Sequence, residues 1–483
     1  MIEPQENGVR RRNGCHGWIG SETVESRLGS FKFRNGYPSV QAAADLRDSL
    51  ILSRAVDVYL AQMPVVSWYH VWKGVAEAGA AQPNQMVIWG GLMDARTTLL
   101  TGNCETVYGL ASLDLKRDGP VVVELPPMML GSVLDVWQRS VADVGPTGVD
   151  KGKGGKILLL PPNHRETAPD GYIVLRPRAY RTSLGVRGFL VDGKTDHAVA
   201  LMKSTWIYPL RDMRSPPAMH FVNGSHQEID TIFADNYQFF EDLAELIASE
   251  PDDAITASER FALASIGIEK YMPYKPNAER RALLADAARV GSAIARVNSF
   301  ASNDPERIAY SDRKWEWAFV GGSAEFTSQG YVNTDRRAAF AYIAIGMSPA
   351  MVEKIVGGGS QYLWTPRDAD GEYLDGANFY RLRIPAEIPV KNFWSVVVYD
   401  AESRSMLRNS QKFPSRSAYT DPEINADGSI DIYFGPKASP AHEKNWIETI
   451  PGKGWFPLFR FYGPLEPFFD KSWKPGDIER VRL

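Results

Sequence analysis

Thr147-Gly148-Val149-Asp150-Lys151-Gly152-Lys153-Gly154-Gly155-Lys156-Ile157-Leu158-Leu159-Leu160-Pro161-Pro162 is the stretch on which the fold reading turns. Its first ten residues hold four glycines and three lysines, which free the backbone and concentrate positive charge. Four apolar residues follow, and two prolines stop them. That is a loop feeding a buried strand. Similar short apolar runs, bounded by Gly, Pro or Asp, occur at Val121-Val122-Val123 and Ile173-Val174-Leu175. The chain from Met86 to about Leu210 therefore reads as strands.

Upstream, Ser39 follows Pro38 and is placed to cap a helix. Leu52, Ala55, Val56, Tyr59 and Leu60 then repeat at helical spacing, and Pro64 is expected to end the element. Downstream, a helical interlude spans about Gln227 to Val297. It carries one stripe at Phe240, Leu243 and Ile247 and a second at Leu283, Ala287, Val290, Ile294 and Val297. After about residue 311 the strand pattern returns. Phe393 to Tyr399 is one apolar run, Phe456 to Tyr462 another, and Ile430, Ile432 and Phe434 alternate along a third. Asp427-Gly428 is a hairpin signal. The expected fold class is mainly β (α+β), with two antiparallel β-sandwich or jelly-roll-like domains and an intervening helical segment. The expected divisions are an N-terminal tail at 1–36, the first helix and β-rich domain at 37–215, the helical segment at 216–310, and the second β-rich domain at 311–483.

Composition agrees with that plan. A chain of 483 residues is too long for one ordinary core. Its 20 Tyr, 21 Phe and 13 Trp, with 32 Pro and 41 Gly, suit short strands joined by tight turns. A net charge of −4 gives no electrostatic reason to expect nucleic acid. Arg10-Arg11-Arg12 is followed by polar residues, not by the apolar segment of an export signal, and reads as a solvated tail. No run approaches the roughly eighteen apolar residues of a membrane span. Cys15 and Cys104 cannot make a disulfide framework. As written, the chain reads as soluble and cytoplasmic, or periplasmic if a signal peptide has been removed.

The wording of several segments adds a resemblance. In the N-terminal half these are Leu100-Thr101-Gly102-Asn103-Cys104-Glu105-Thr106-Val107-Tyr108, Gly119 to Pro126, and Asp143-Val144-Gly145 running into the lysine–glycine loop. In the C-terminal half they are Leu374 to Tyr380, Phe393-Trp394-Ser395, Tyr399-Asp400, Asn425 to Ser429, Asn445-Trp446 and Arg460-Phe461-Tyr462-Gly463-Pro464. On these the chain resembles bacterial two-domain proteins that combine domain of unknown function 1254 with domain of unknown function 1214. The resemblance covers nearly everything beyond the first thirty residues or so. It implies two sandwich-like domains and a homo-oligomer, and it brings no agreed reaction. Many relatives look exported, and this chain lacks their visible signal.

Chemistry must then be argued from residues. The lysine–glycine loop is not a nucleotide-binding P-loop, because Lys153 precedes Gly154, Lys156 precedes Ile157, and a strand follows. A looser anion nest using Lys151 and Lys153 is one reading, and a solvated loop or subunit contact is the other. Asn103, Glu105 and Tyr108 form a second candidate. As a strand, the stretch would put Asn103 and Glu105 on one face, with Glu105 a general base oriented by Asn103. As a turn, it would spend the same side chains on local backbone bonds. Glu105 would otherwise be the partner of an arginine such as Arg187.

Arg187 and Arg460 lie in apolar contexts, where a structural ion pair is the ordinary expectation and capture of a ligand anion the sharper one. Two acidic loops, 368–372 and 425–431, lack the full calcium-loop spacing and read as Asp-Gly turns. The seven histidines offer no metal-ligand spacing, and Gly-x-Ser-x-Gly is absent. No cofactor is specified. The expected function is a small-molecule enzyme, with hydrolysis as one option, with catalytic Glu105, Asn103 and Tyr108, and with Arg187, Lys151, Lys153 and Arg460 binding substrate. The alternatives are a non-catalytic binder of a small ligand or glycan, and a structural homo-oligomer.

Overall fold

The lysine–glycine loop does feed a strand. Gly155–Leu159 pairs antiparallel with Val121–Leu125 at the centre of a four-stranded sheet completed by Ile173–Leu175 and Trp206–Pro209. The computed structural model describes residues 22–482. The Arg10–Arg12 cluster, Cys15 and His16 lie outside them. Thr23–Ser26 and Gly29–Arg34, within the stretch read as a tail, form a small sheet with Tyr37–Pro38 just beyond it.

Strand alternation builds the N-terminal sandwich. The second layer is six-stranded, in the order His220–Asn223, Gln85–Ile88, Val107–Asp114, Arg181–Gly188, Leu130–Asp135, Ser140–Val144. Val107, Ala111, Leu113, Leu184 and Val186 point from it into the sandwich core, where they meet Val121, Val123, Ile157, Leu159 and Ile207 of the first layer. The alternate residues Tyr108, Leu110, Gly185 and Arg187 therefore face the other way.

The C-terminal sandwich repeats the logic. Its five-stranded sheet runs Glu316–Trp317, Ser360–Trp364, Trp455–Pro464, Val390–Asp400, Ser415–Ser417. Leu363, Trp394, Val396, Phe459 and Phe461 pack against Leu382, Ile432 and Phe434 of a four-stranded partner. Ser360, Tyr362, Tyr399, Arg460 and Tyr462 are left on the opposite face.

The fold is thus mixed α+β with β-rich domains. Four short pairings are parallel, at 173–175, 220–223, 229–230 and 446–448. Each of these strands returns by a connection long enough to restore the direction of its neighbour. Two of them fall inside the stretch read as helical, whose first long helix begins only at Gln238.

Three further expectations need correction. The first helix does not end at Pro64. It runs from Val40 to Glu77, capped by Ser39, whose hydroxyl accepts the Ala42 N–H at 3.1 Å. Pro64 removes one helical donor, a loss worth about 3 kcal/mol in a free helix. Here Met63, Pro64, Val65 and Val66 are all buried in the largest core cluster or beside it, so packing outweighs the loss. By length and composition this helix is also able to span a bilayer, although 56% of its most apolar window is buried inside the fold.

The second correction concerns Ala278–Phe300. Val290 and Val297 of the expected stripe are exposed, and the packed face is Leu284, Ala287, Ala288, Gly291, Ala295 and Ser299. Small residues win because this helix lies tight on the first one. A Cβ at Gly291 would sit 2.5 Å from Tyr59 Cδ1. The third is Asp427-Gly428, which makes a tight turn, with the Gly428 N–H donated to Asn425 O at 2.9 Å, before the strand Ile430–Gly435. The preceding strand, Ser415–Ser417, belongs to the other sheet, so this is not a sheet hairpin.

Candidate functional site

The outward faces of the two large sheets meet, and polar residues gather where they do. Tyr108 is directly opposite Arg187 in the N-terminal sheet. Tyr362 is opposite Arg460, and Ser360 opposite Tyr462, in the C-terminal sheet. The loop 99–106 bridges the two. Arg460 Nη2 donates to Thr101 O at 2.8 Å, Tyr399 OH to Gly102 O at 2.6 Å, and Asn103 Nδ2 to Tyr462 OH at 2.6 Å. Asn103 Nδ2 also lies 3.4 Å from Tyr108 OH.

The arginines are the unusual feature. Arg460 is 3% exposed, and its Nη1 is buried without a hydrogen-bond partner. Arg187 lies against hydroxyls alone: both Nη atoms are 3.5 Å from Ser360 Oγ, at the outer limit of a hydrogen bond, and the Tyr362 phenol is a further partner. Neither arginine is in an ion pair among the described residues, which overturns the expected structural pair. Burial works against the charge of each, and the surrounding phenols more than offset it, holding both guanidinium groups firmly protonated. Burial pushes the Tyr108 phenol up. Arg187, the Asn103 amide and Arg460 outweigh that, so Tyr108 ionises below the ordinary tyrosine range. Tyr462 moves the other way, well above it, because burial dominates there. An under-satisfied buried cation costs several kcal/mol unless something compensates it.

Two cavities open from this cluster. The first, of about 490 Å³, is bounded by Thr101, Asn103, Tyr108, Tyr362 and Arg460, and farther off by Glu316, Trp317 and Phe340. The second, of about 630 Å³, has Arg187 and Tyr108 in its wall and is otherwise largely apolar, with Trp68, Val71, Val75, Leu110 and Met347. Met93, Leu99, Tyr108 and Met351 border both. Glu316 pairs with Arg307 at 2.8 Å. Burial raises its carboxyl to about 7, against the pull of Arg307 and Arg367.

Of the residues singled out by sequence, Asn103, Tyr108, Arg187 and Arg460 come together. Glu105 does not join them at a cavity. Residues 101–106 form a turn in which the Glu105 N–H donates to Asn103 Oδ1 at 2.9 Å, and the strand starts only at Val107. The Glu105 side chain is buried elsewhere, accepting from Ser417 Oγ at 2.7 Å, with no ion pair to Arg187. Burial raises its carboxyl, while Ser415, Ser417 and the more distant Arg460 pull it back.

Lys151 and Lys153 are exposed and line neither cavity. Their loop already holds an anion of its own. Asp150 takes the N–H groups of Gly145 at 2.7 Å and Gly154 at 3.0 Å. Gly154 is required there, with φ of +68° and no room for a Cβ beside Leu125 O. The acidic loop at 368–372 is likewise self-satisfied, since Asp368 Oδ1 accepts from Glu372 N at 2.9 Å. No group of three or more His, Cys, Asp or Glu placed to hold a metal occurs among the described residues.

Sequence reasoning missed Ser360, Tyr362, Tyr399, Tyr462 and Glu316. Tyr462 was legible as a strand partner of Arg460 two residues away on the same face. Glu316, between Trp315 and Trp317, was an acid in an aromatic run.

Fold and site together define a double-sandwich α+β protein with a cationic, tyrosine-rich centre between its two large sheets. Residues 83–209 match the family described as Protein of unknown function (DUF1254), and residues 359–466 match Protein of unknown function (DUF1214). The chain carries these two domains in the order the resemblance implied. The crystal structure of the VPA0106 protein from Vibrio parahaemolyticus is similar, with TM-score 0.55 and 18% identity over 89% of this chain and 100% of that one. This is a likeness of fold. An uncharacterised protein from Burkholderia cenocepacia aligns over 92% of this chain and 97% of its own at 12% identity and TM-score 0.41. No curated protein matches the chain.

Proposed function

We propose that the chain binds a small organic anion between its two large sheets, at Arg460, Arg187 and the tyrosines around them. One observation carries this reading. Arg460 is 3% exposed, donates from Nη2 to the Thr101 carbonyl, has the Tyr399 phenol beside it but no charged partner among the described residues, and leaves Nη1 buried without a partner. A ligand carboxylate or phosphate would supply the acceptors that the protein withholds. Adjoining cavities of about 490 and 630 Å³ are within the range of small-molecule sites. Isothermal titration against a panel of carboxylates, phosphates and sulfates tests the reading. Arg460→Met and Arg187→Met should each weaken binding at least about tenfold, the minimum for a lost charge-assisted bond. Unchanged affinity in both variants would refute it.

Catalysis is a second reading, favoured by Glu316. A carboxyl raised to about 7 in the wall of the same cavity as Arg460 is suited to exchange a proton with a bound anion. Its mark would be turnover of an anionic ester or amide with a limb near neutrality that Glu316→Gln removes. The homo-oligomer implied by the resemblance is also a proposal, and a monomer mass by light scattering would count against it.

A further inference from the structure

The larger cavity has a floor whose make-up follows from strand register. Leu110 is opposite Gly185, and Tyr108 opposite Arg187. On the other side of the same strand, Ser132 and Leu130 face Gly185 and Arg187. Residues two apart on a strand share a face, so the glycine is a bare patch directly beside the arginine. A Cβ built on Gly185 would touch nothing nearer than Leu110 Cδ1, at 3.8 Å. Trp68, Val71 and Val75 of the first helix complete the apolar wall. The first helix is held over this sheet by Trp68 Nε1, which donates to Ser183 Oγ at 3.2 Å.

The other charged or titratable groups bordering the space are Asp143, His197 and Lys391. Asp143 Oδ2 accepts from the Ala350 N–H at 3.0 Å while its Oδ1 is buried without a partner, and His197 and Lys391 are exposed. What results is an apolar chamber of about 630 Å³ with a guanidinium and a phenol in one wall. A compact anion would leave most of that chamber empty, whereas an apolar chain attached to the anion would fill it.

Resting on the anion reading above, we infer that the ligand is a chain-bearing carboxylate of the fatty-acid class. Its carboxylate meets Arg187 and Tyr108, and its chain lies over Gly185 against the first helix. The planar fork of Arg187 matches a carboxylate, and the chain gains by leaving water.

The test is titration calorimetry with straight-chain carboxylates from butanoate to tetradecanoate, with the matching alcohols as a second series. Affinity should rise roughly fourfold per methylene until the chamber is full. Gly185→Leu, whose Cβ meets nothing nearer than Leu110 Cδ1 at 3.8 Å, should weaken the long acids about tenfold or more relative to butanoate. If that variant fails to fold, Leu110→Phe makes the same comparison. Affinity that stays flat along the series overturns the chain inference and leaves the anion reading standing. Alcohols that bind as tightly as the acids overturn the anion reading and this inference with it. Absence of binding by every member overturns this inference, and the anion reading is then decided by the phosphates and sulfates.

Discussion

Glu105→Gln should stabilise the protein at neutral and alkaline pH. Glu105 is 4% exposed, its Oε2 takes one strong hydrogen bond from Ser417 Oγ at 2.7 Å, and no cation pairs with it. Burial raises its carboxyl above the ordinary range of about 4.3 for a glutamate in an unfolded chain. The folded protein therefore holds this proton more tightly than the unfolded chain does. The stability contributed is fully present below the unfolded value and is lost as pH rises through the folded one.

Above that window the wild type carries a buried charge, which costs several kcal/mol after relaxation. Gln keeps the acceptor for Ser417 and removes the charge, but it adds an amide donor whose burial costs about 1–3 kcal/mol. The net gain at pH near 8 is about 1–3 kcal/mol, and in acid, where the charge is gone and only the amide cost remains, it turns into a loss of about 1–3 kcal/mol. Thermal melts of both proteins by tryptophan fluorescence across the acid-to-alkaline range check it. A variant less stable than wild type at high pH, with the gap widening as pH rises, would mean that Glu105 neutralises a cation after all. Binding of organic anions should be the same in both proteins, because Glu105 lines neither cavity.

Gly291→Ala should destabilise by about 1–3 kcal/mol, despite alanine's higher helix propensity, because the new Cβ meets the buried Tyr59 ring at 2.5 Å. A urea midpoint equal to or above wild type would show that the two helices separate freely. Tyr108→Phe should remove the earliest phenolate signal in an ultraviolet pH titration, since Tyr108 ionises below the ordinary range under Arg187 and Arg460. An unchanged early signal would assign it to another tyrosine. Asp150→Ala should free the N–H groups of Gly145 and Gly154, cost about 1–3 kcal/mol and open the loop 147–156 to proteolysis. A loop as resistant as wild type would mean that its glycine turns suffice.

Much of the fold was legible because strands announce themselves by local apolar runs. Val121–Leu125, Gly155–Leu159 and Val390–Asp400 all appear where such runs predicted them. Pro64 misled because proline's effect on an isolated helix is local, while burial of Met63, Val65 and Val66 is not. The Leu283–Val297 stripe misled because size was ignored. Val290 and Val297 lie on the exposed side, Leu283 and Ile294 at its edge, and the face where two helices touch is made mostly of small residues.

The site was half legible. Arg187 and Arg460 stood out as charges in apolar strands, but no spacing in the chain could say that sheets so far apart in sequence turn those faces toward each other. Glu105 was chosen for its place in a memorable string, and the turn at 103–106 carries its side chain away from Asn103's other partners.

What Arg460 Nη1 and the Arg187 fork touch in a complex is the deciding observation. A crystal structure of the protein grown with an organic carboxylate would show it directly. The account predicts a carboxylate oxygen at hydrogen-bond distance from Nη1 or from the Arg187 fork, with the ligand's apolar part in one of the two cavities. An Arg460 Nη1 satisfied by a protein carboxylate, with both cavities holding only water, would contradict it.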